Sequence, residues 1–158
     1  MKKMPILPLA FILLACAPQL MKTGKTDTVD KNILLQLVND TRKKGCNCGD
    51  TYYPPVPPLT WNDQLEVAAQ EHSEDMDKNK YFSHTAPDGS TAGVRMQRAG
   101  YAWTSYGENI ASGPESEKSV INGWLSSPGH CKNIMSKNFR EMGVGHSGKL
   151  WTQVFGSR

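Results

Sequence analysis

The stretch from Gly123 to Ile134 constrains the fold more than any other part of the chain; it reads GWLSSPGHCKNI. Apolar side chains at helical spacing are followed by Pro128 and Gly129, a pair that ends a helix and turns the chain sharply. His130 comes directly after this break, with Cys131 beside it. Because such a turn directs a side chain toward one point, we predict that His130 belongs to a polar site.

Two other segments place polar side chains at predicted turns or strand ends. Phe82–His84 follows a predicted helix, and Gly107–Ile110 contains Glu108. We predict that His84, Glu108 and His130 converge on one polar cavity. Two imidazoles and a carboxylate suit a borderline divalent cation such as zinc. The same three groups also suit a hydrogen-bonded cluster that holds the cleft together without a metal.

The N-terminus has the pattern of a bacterial lipoprotein signal. Lys2 and Lys3 precede an apolar run, Pro5–Leu14, that is too short to span a bilayer. The run ends in Leu-Leu-Ala-Cys, which matches a lipobox. We therefore predict a signal peptide over residues 1–15 and lipidation of Cys16. The alternative is an ordinary signal peptide with an incidental cysteine.

The rest of the chain has the composition of one globular domain on a tether. Residues 16–30 lack a periodic apolar pattern and are predicted to form the lipidated cysteine and a flexible tether, with the domain over residues 31–158. Removing residues 1–15 removes two lysines and no acid, so 16 basic and 15 acidic residues leave a charge of +1. This balance argues against a nucleic-acid partner. The anchor makes a membrane the expected partner, with the domain outside the cytoplasm.

Hydrophobic periodicity predicts helices early in the domain and strands late. Helices are predicted over 30–44, 62–78 and 90–99 and from Gly113-Pro114 to the break at Pro128, with strands over 106–111, 141–146 and 150–155. This order favours an α+β fold with a small antiparallel sheet between helices.

Two of the predicted helices have apolar faces that we expect to be buried. The first has a predicted buried stripe that begins at Ile33 and Leu34. The second places His72 among apolar residues, which indicates a packed histidine with one satisfied hydrogen bond rather than a ligand.

Three cysteines remain once Cys16 is lipidated, and an odd number in an exported protein predicts one disulfide and one free thiol. Cys46 and Cys48 are too close in sequence for an unstrained bridge. We expect Cys131 to pair with one of them, Cys48 being favoured over Cys46. Closing a loop of roughly 80 residues contributes about 4 kcal/mol to stability. A metal site built from the three thiols and a histidine is the alternative.

Four motifs occur in order, and together they resemble the CAP superfamily (cysteine-rich secretory proteins, antigen 5 and pathogenesis-related proteins; the SCP-like domain) in its short bacterial form. The motifs are Phe82–His84, Gly107–Ile110, Gly123–His130 followed by Asn133–Met135, and Gly143–Gly145. The resemblance covers about residues 31–158. It implies an α-β-α sandwich with a shallow cleft.

The resemblance also implies roles for individual residues. Better-known eukaryotic members carry two histidines and two acids in the cleft, and the motifs match His84, Glu108 and His130 to three of them. Ser127 occupies the position of the second acid, and Glu141 is a substitute only if its side chain turns inward. The resemblance implies cation binding through the two histidines. It also implies an extracellular module for lipid, sterol or protein ligands.

A hydrolase, protease-like or directed at the cell wall, is the alternative function for the same cleft. Ser83, Ser126 and Ser127 lie near the histidines in sequence, but serine is common at turns and helix ends. The chain has no Gly-x-Ser-x-Gly elbow. A glycosidase needs two facing carboxylates, of which the motifs supply Glu108. We therefore favour a binding module over an enzyme.

Overall fold

The computed structural model describes residues 28–158 of the chain. The predicted signal peptide, Cys16 and most of the tether lie outside the described residues, so those assignments stay predictions. Within residues 28–158, no helix combines the length and the apolar character needed to cross a membrane.

Five helices and six strands make up the described part of the chain. In chain order they are α1 (Lys31–Lys44), β1 (Cys46–Cys48), β2 (Thr51–Tyr53), β3 (Thr60–Trp61), α2 (Asp63–Asn79), α3 (Ala92–Arg98), β4 (Ser105–Ser112), α4 (Glu117–Ser126), α5 (Pro128–Ile134), β5 (Glu141–Ser147) and β6 (Leu150–Ser157). β1 and β2 form a small hairpin, and the main sheet has the strand order β3-β5-β6-β4. Strand β4 is therefore one edge of the main sheet.

The main sheet lies between two helical layers. Because successive side chains of a strand point to opposite faces of the sheet, each strand can pack against both layers. On β5, Met142 and Val144 are fully buried in a core shared with α1, α4 and α5. Gly143 and Gly145, which alternate with them, lie against α2. A smaller core on that side joins α2 and α3 to the sheet. The predicted α+β class and the α-β-α sandwich are confirmed.

Helix α1 begins and ends where its local sequence requires. The Asp30 carboxylate accepts hydrogen bonds from the backbone N–H groups of Asn32 and Ile33, and Gly45 ends the helix at a φ of 73°. The predicted buried stripe is wrong at Ile33, which is 44% exposed. Ile33 lies in the first turn, at the side of the buried face that is marked by Leu34 and Val38.

Arg42 is a fully buried charged residue on α1. Its guanidinium donates to the carbonyl oxygens of Pro57, Ile134 and Ser136 at 2.8, 2.6 and 2.9 Å. Burial lowers the pKa of Arg42 to about 10. The side chain thereby joins α1, the proline-rich segment and the end of α5.

Helix α2 lies so close to β5 that the two β5 residues facing it, Gly143 and Gly145, have no room for a side chain. A Cβ atom at Gly143 would lie 2.2 Å from the backbone nitrogen of Glu66, and one at Gly145 would lie 2.2 Å from that of Gln70. The Ser73 hydroxyl, one turn further along α2, donates to the Gly145 carbonyl at 3.1 Å. The Gly-Val-Gly motif is therefore a packing requirement of this helix–strand contact.

Three differences from the sequence prediction concern short elements. Strand β3 pairs parallel with β5, so the main sheet is not purely antiparallel; two residues after a proline run are too few to show a periodic pattern. Helix α4 begins at Glu117 rather than at Pro114, because Ser116 and Ser119 form a capping box. Pro128 does follow the end of α4, but it is the first residue of α5. His130 therefore lies inside a short helix and not in a turn.

We predict opposite effects for two glycine-to-alanine substitutions. Gly145→Ala should lower the free energy of unfolding by about 3 kcal/mol, because its methyl group collides with the α2 backbone. Gly123→Ala, on α4 with no atom within 4 Å of the new carbon, should raise it by about 0.5–1 kcal/mol. Urea unfolding measures both. Equal effects would show that the α2–β5 contact adjusts freely.

Candidate functional site

The first element of the candidate site is a contact between His84 and Glu108. His84 lies on the loop between α2 and α3, and Glu108 lies on the edge strand β4. The His84 Nδ1 atom is 2.8 Å from Glu108 Oε1. The Glu108 side chain is only 4% exposed, whereas the His84 side chain is 56% exposed. The pair thus joins a buried carboxylate to an imidazole that faces solvent.

Arg95 on α3 holds the other side of the carboxylate, and the sequence analysis missed it. Its Nη2 atom lies 2.6 Å from Glu108 Oε2 and 3.2 Å from the His84 carbonyl oxygen. Arg95 is buried, and helical spacing could have indicated this, because it lies three residues after Ala92 and four before Ala99. The buried guanidinium charge of Arg95 is thus paired with the buried carboxylate of Glu108.

Both carboxylate oxygens of Glu108 are therefore engaged. A carboxylate beside Nδ1 accepts the proton of that nitrogen, which makes Nε2 the nitrogen of His84 with a free lone pair when the ring is neutral. This arrangement is the one by which carboxylates orient metal-binding histidines. Glu108 thus acts on His84 and is not itself an open ligand.

His130 is held beside the same strand by its neighbours on α5. The Asn133 side-chain amide donates to the Glu108 carbonyl oxygen at 3.1 Å and to Asn109 Oδ1 at 2.8 Å. Asn109 in turn donates to the His130 carbonyl oxygen at 3.2 Å. These bonds attach α5 to the edge strand at the level of Glu108, so both histidines flank β4.

The two imidazoles differ in their protonation. The hydrogen bond with Glu108 raises the pKa of His84 above its usual value, against the opposing effect of burial. Burial lowers the pKa of His130, and the positive charge of His84 lowers it further. His84 protonation thus favours the folded state below the unfolded-state pKa of about 6.5, and this contribution is lost as the pH rises through the raised folded-state pKa.

His84, Glu108 and His130 do not form a compact three-ligand cluster. Among the residues that the structure describes, the set of three His, Cys, Asp or Glu ligand atoms within 4.8 Å of one another is Cys46, Cys48 and Cys131. The structure brings His84 and Glu108 into contact and places His130 at the same strand. A cation between the two histidines stays a prediction.

Glu141, the predicted fourth acid, belongs to a different polar cluster. Its carboxylate accepts hydrogen bonds from the Tyr101 hydroxyl at 2.6 Å and the Asn62 amide at 2.9 Å, and it pairs with Arg158 at 3.2 Å. These partners lie at the start of α2, after α3 and at the C-terminus. Burial raises the pKa of Tyr101, and the hydrogen bond to Glu141 raises it further. The inward orientation of the Glu141 side chain therefore stabilises the contact between these elements.

The structure contains the disulfide that the sequence favoured, Cys48–Cys131, and Cys46 is a half-buried free thiol. Cys46 and Cys48 are two apart on β1, so both face α5. Cys46 Sγ lies 3.6 Å from Cys131 Sγ. Burial raises the pKa of Cys46. With two of the three sulfurs in the bridge, a three-thiolate metal site is not formed.

The serines near the histidines have local hydrogen-bond partners. Ser83 Oγ accepts from the Thr85 backbone at 3.1 Å, and Ser126 Oγ donates to the Asn122 carbonyl oxygen at 2.8 Å. Ser127 ends α4 and precedes α5. The contacts of these serines are thus those of turns and helix ends.

We predict that Glu108→Gln lowers both the stability of the fold and the pKa of His84. Arg95 is left without its buried carboxylate partner, which should lower the free energy of unfolding by about 3 kcal/mol. The His84 pKa falls because the negative charge is lost. Denaturant unfolding and proton NMR of the imidazole measure the two effects. Glu115→Gln, at an exposed position, is the control and should change stability by less than about 0.5 kcal/mol; an unchanged His84 titration in Glu108→Gln would contradict the assignment.

Comparison with known proteins agrees with this architecture. Residues 35–155 match the Cysteine-rich secretory protein (CAP) family. The protein YkwD of Bacillus subtilis is 38% identical over 100 residues, which cover 62% of this chain and 39% of that protein. The chain thus spans about two-fifths of the length of this relative.

Two solved structures have similar folds. One is an extracellular protein of Bacillus anthracis with an SCP domain, at a TM-score of 0.66 and 33% identity, covering 80% of this chain and 41% of that one. The other is an outer surface protein of Borrelia burgdorferi, at a TM-score of 0.67 and 26% identity, covering 80% and 91%. With the family match over most of the domain, the chain belongs to the CAP family.

Proposed function

We propose that this chain is an exported, lipid-anchored binding module of the cell envelope, in which His84 and His130 hold a divalent cation such as zinc. The observation that carries the proposal is the 2.8 Å contact between His84 Nδ1 and the buried Glu108 carboxylate. It fixes the tautomer of a solvent-facing histidine with Nε2 as the ligand atom.

The predicted coordination leaves positions for an external ligand. Two histidines supply two of the four ligands of a tetrahedral zinc ion, and water or an oxygen donor from a partner supplies the others. The cation would therefore serve as a docking point for a protein or lipid partner. Because Glu108 is already bound by His84 and Arg95, its role is to orient His84.

The same contacts favour binding over hydrolysis. A cell-wall glycosidase needs two carboxylates facing the substrate. Both Glu108 oxygens are engaged, and Glu141 bonds to Tyr101 and Asn62. A protease-like mechanism needs a serine in contact with a histidine. The serines nearest in sequence bond elsewhere, so a binding role uses the site as it stands.

The proposed location rests on the N-terminal sequence and on the relatives. Residues 1–16 match a lipoprotein signal, and similar structures come from an extracellular protein and an outer surface protein. A lipid anchor at Cys16 would hold the domain at a membrane face, with the tether between them.

We predict one-to-one zinc binding that depends on both histidines. Calorimetric titration of the full chain in detergent at pH 7.5 should show saturable binding, with affinity reduced at least tenfold in His84→Ala and in His130→Ala. Affinity should fall as the pH drops through the pKa of His84, which lies above its usual value of about 6.5, because protonated imidazole does not bind metal. His146→Gln, which alters a histidine stacked on Trp151, serves as the matched control and should bind normally. Full affinity in both site variants would refute the cation site.

We predict that Cys16→Ala moves the protein out of the membrane fraction. Without the lipidated cysteine the chain loses its acyl chains, and acyl chains account for the anchoring. Fractionation of cells and immunoblotting measure the effect. Cys46→Ala, which removes the free thiol of the domain, should leave the protein membrane-bound. Retention of Cys16→Ala in the membrane would show that the lipobox assignment is wrong.

A further inference from the structure

Three cysteine sulfurs lie together where the β1–β2 hairpin meets α5. The Sγ atoms of Cys46, Cys48 and Cys131 all lie within 4.8 Å of one another. Cys48 and Cys131 form the disulfide, and the Cys46 thiol lies 3.6 Å from Cys131 Sγ. These three residues form a sulfur cluster, and the bridge accounts for two of its members but not for the third.

Reduction of the bridge changes the spacing of the sulfur cluster. A dithiol supplies two electrons and two protons and becomes a cyclic disulfide, and the Cys48–Cys131 bond is replaced by two thiols. Sulfur atoms that are no longer bonded move apart to van der Waals contact, at about 3.5–4.0 Å. Cys46 and Cys131 already have this separation, at 3.6 Å. The three sulfurs of the reduced chain therefore form a compact triangle.

A triangle of this size fits one metal ion. When its sides are about 4 Å long, its centre lies about 2.3 Å from each sulfur, which is the length of a metal–thiolate bond. Thiolates select soft ions, and Cu(I) is a soft ion that accepts three sulfurs in one plane. The sulfur cluster thus differs in chemistry from the proposed site at His84 and His130, which suits a borderline divalent cation.

Contacts other than the disulfide hold Cys131 opposite β1. The Ile134 carbonyl oxygen on α5 accepts from Arg42 at 2.6 Å, and the Asn133 amide donates to the Glu108 carbonyl oxygen at 3.1 Å. Strand β1 is held by its pairing with β2. None of these contacts uses the disulfide, so we expect α5 and β1 to remain neighbours after reduction. The ligand atoms are then assembled before a metal arrives.

The cluster is most accessible at Cys46. Cys48 is 2% exposed and Cys131 is fully buried, whereas Cys46 is half-buried. An ion that enters from the side of Cys46 comes to lie between the three sulfurs, and the protein core shields it on the other sides. Cys46 therefore supplies both the entry point and the third ligand.

We propose that reduction of the Cys48–Cys131 bridge converts the sulfur cluster into a Cu(I) site with Cys46, Cys48 and Cys131 as its ligands. Each thiol releases its proton to solvent as its sulfur binds the ion. The bridge closes the site under oxidising conditions, and a dithiol reductant opens it. This site is separate from the proposed divalent-cation site and does not depend on it.

The test uses the full chain with Cys16→Ala in detergent, in which the sulfur cluster contains every remaining cysteine. The protein is reduced with a phosphine, freed of it under nitrogen, and titrated into the coloured Cu(I) complex of bicinchoninate. Reduced protein should withdraw one Cu(I) ion per chain, whereas oxidised protein should withdraw less than a tenth of that amount. X-ray absorption of the loaded protein should show three sulfur ligands at about 2.3 Å.

Two variants distinguish the sulfur cluster from the histidine site. Cys46→Ser removes one ligand and leaves the bridge of the oxidised chain in place, so the reduced variant should bind Cu(I) at least tenfold more weakly. His84→Ala removes a ligand of the proposed divalent-cation site and should leave the Cu(I) affinity unchanged. Circular dichroism before and after reduction measures whether the fold persists.

Four results would overturn the proposal. The first is no withdrawal of Cu(I) by reduced protein that keeps its fold. The second is loss of the fold on reduction, which would mean that the bridge alone keeps α5 against β1. The third is equal Cu(I) affinity in Cys46→Ser and in its parent chain. The fourth is loss of Cu(I) binding in His84→Ala, which would place the ion at the histidines. Because zinc binding by the histidines is measured on oxidised protein, failure of either proposal leaves the other standing.

Discussion

Close contact between α2 and β5 is the constraint on which the rest of the structure depends. Backbone atoms of α2 lie where a side chain on Gly143 or Gly145 would be. This approach lets α2 cover one face of the sheet while Met142 and Val144 enter the core on the other face. It also fixes the position of the loop after α2, which contains His84, and of His72 within the helix. The candidate site is therefore positioned by a packing contact that lies outside it.

The buried pair of Arg95 and Glu108 supports the candidate site. Glu108 accepts from His84 on one side and from Arg95 on the other. The ion pair is buried, so it is screened little by solvent and its geometry is rigid. The orientation of His84 therefore depends on the Arg95–Glu108 pair.

Features predicted correctly from the sequence depend on residues close together in the chain. The bounds of α1 follow from Asp30 and Gly45, and the buried face of α2 follows from a spacing of three and four residues. Parallel pairing of β3 with β5, in contrast, joins residues about 80 apart and leaves no local pattern. The start of α5 at Pro128 was missed because proline both ends one helix and begins the next.

The sequence by itself determined the layer fold, the family and the nature of the chemical groups at the site: two histidines, one acid, and a cysteine beside the second histidine. Capping, periodicity and motif order are local properties, so they can be recognised from the sequence alone. Only the tertiary structure decided how those groups are used. In the folded chain Arg95 pairs with Glu108, and Glu141 belongs to a separate cluster with Tyr101. These assignments depend on which strands and helices become neighbours, and that is a property of the whole packed chain.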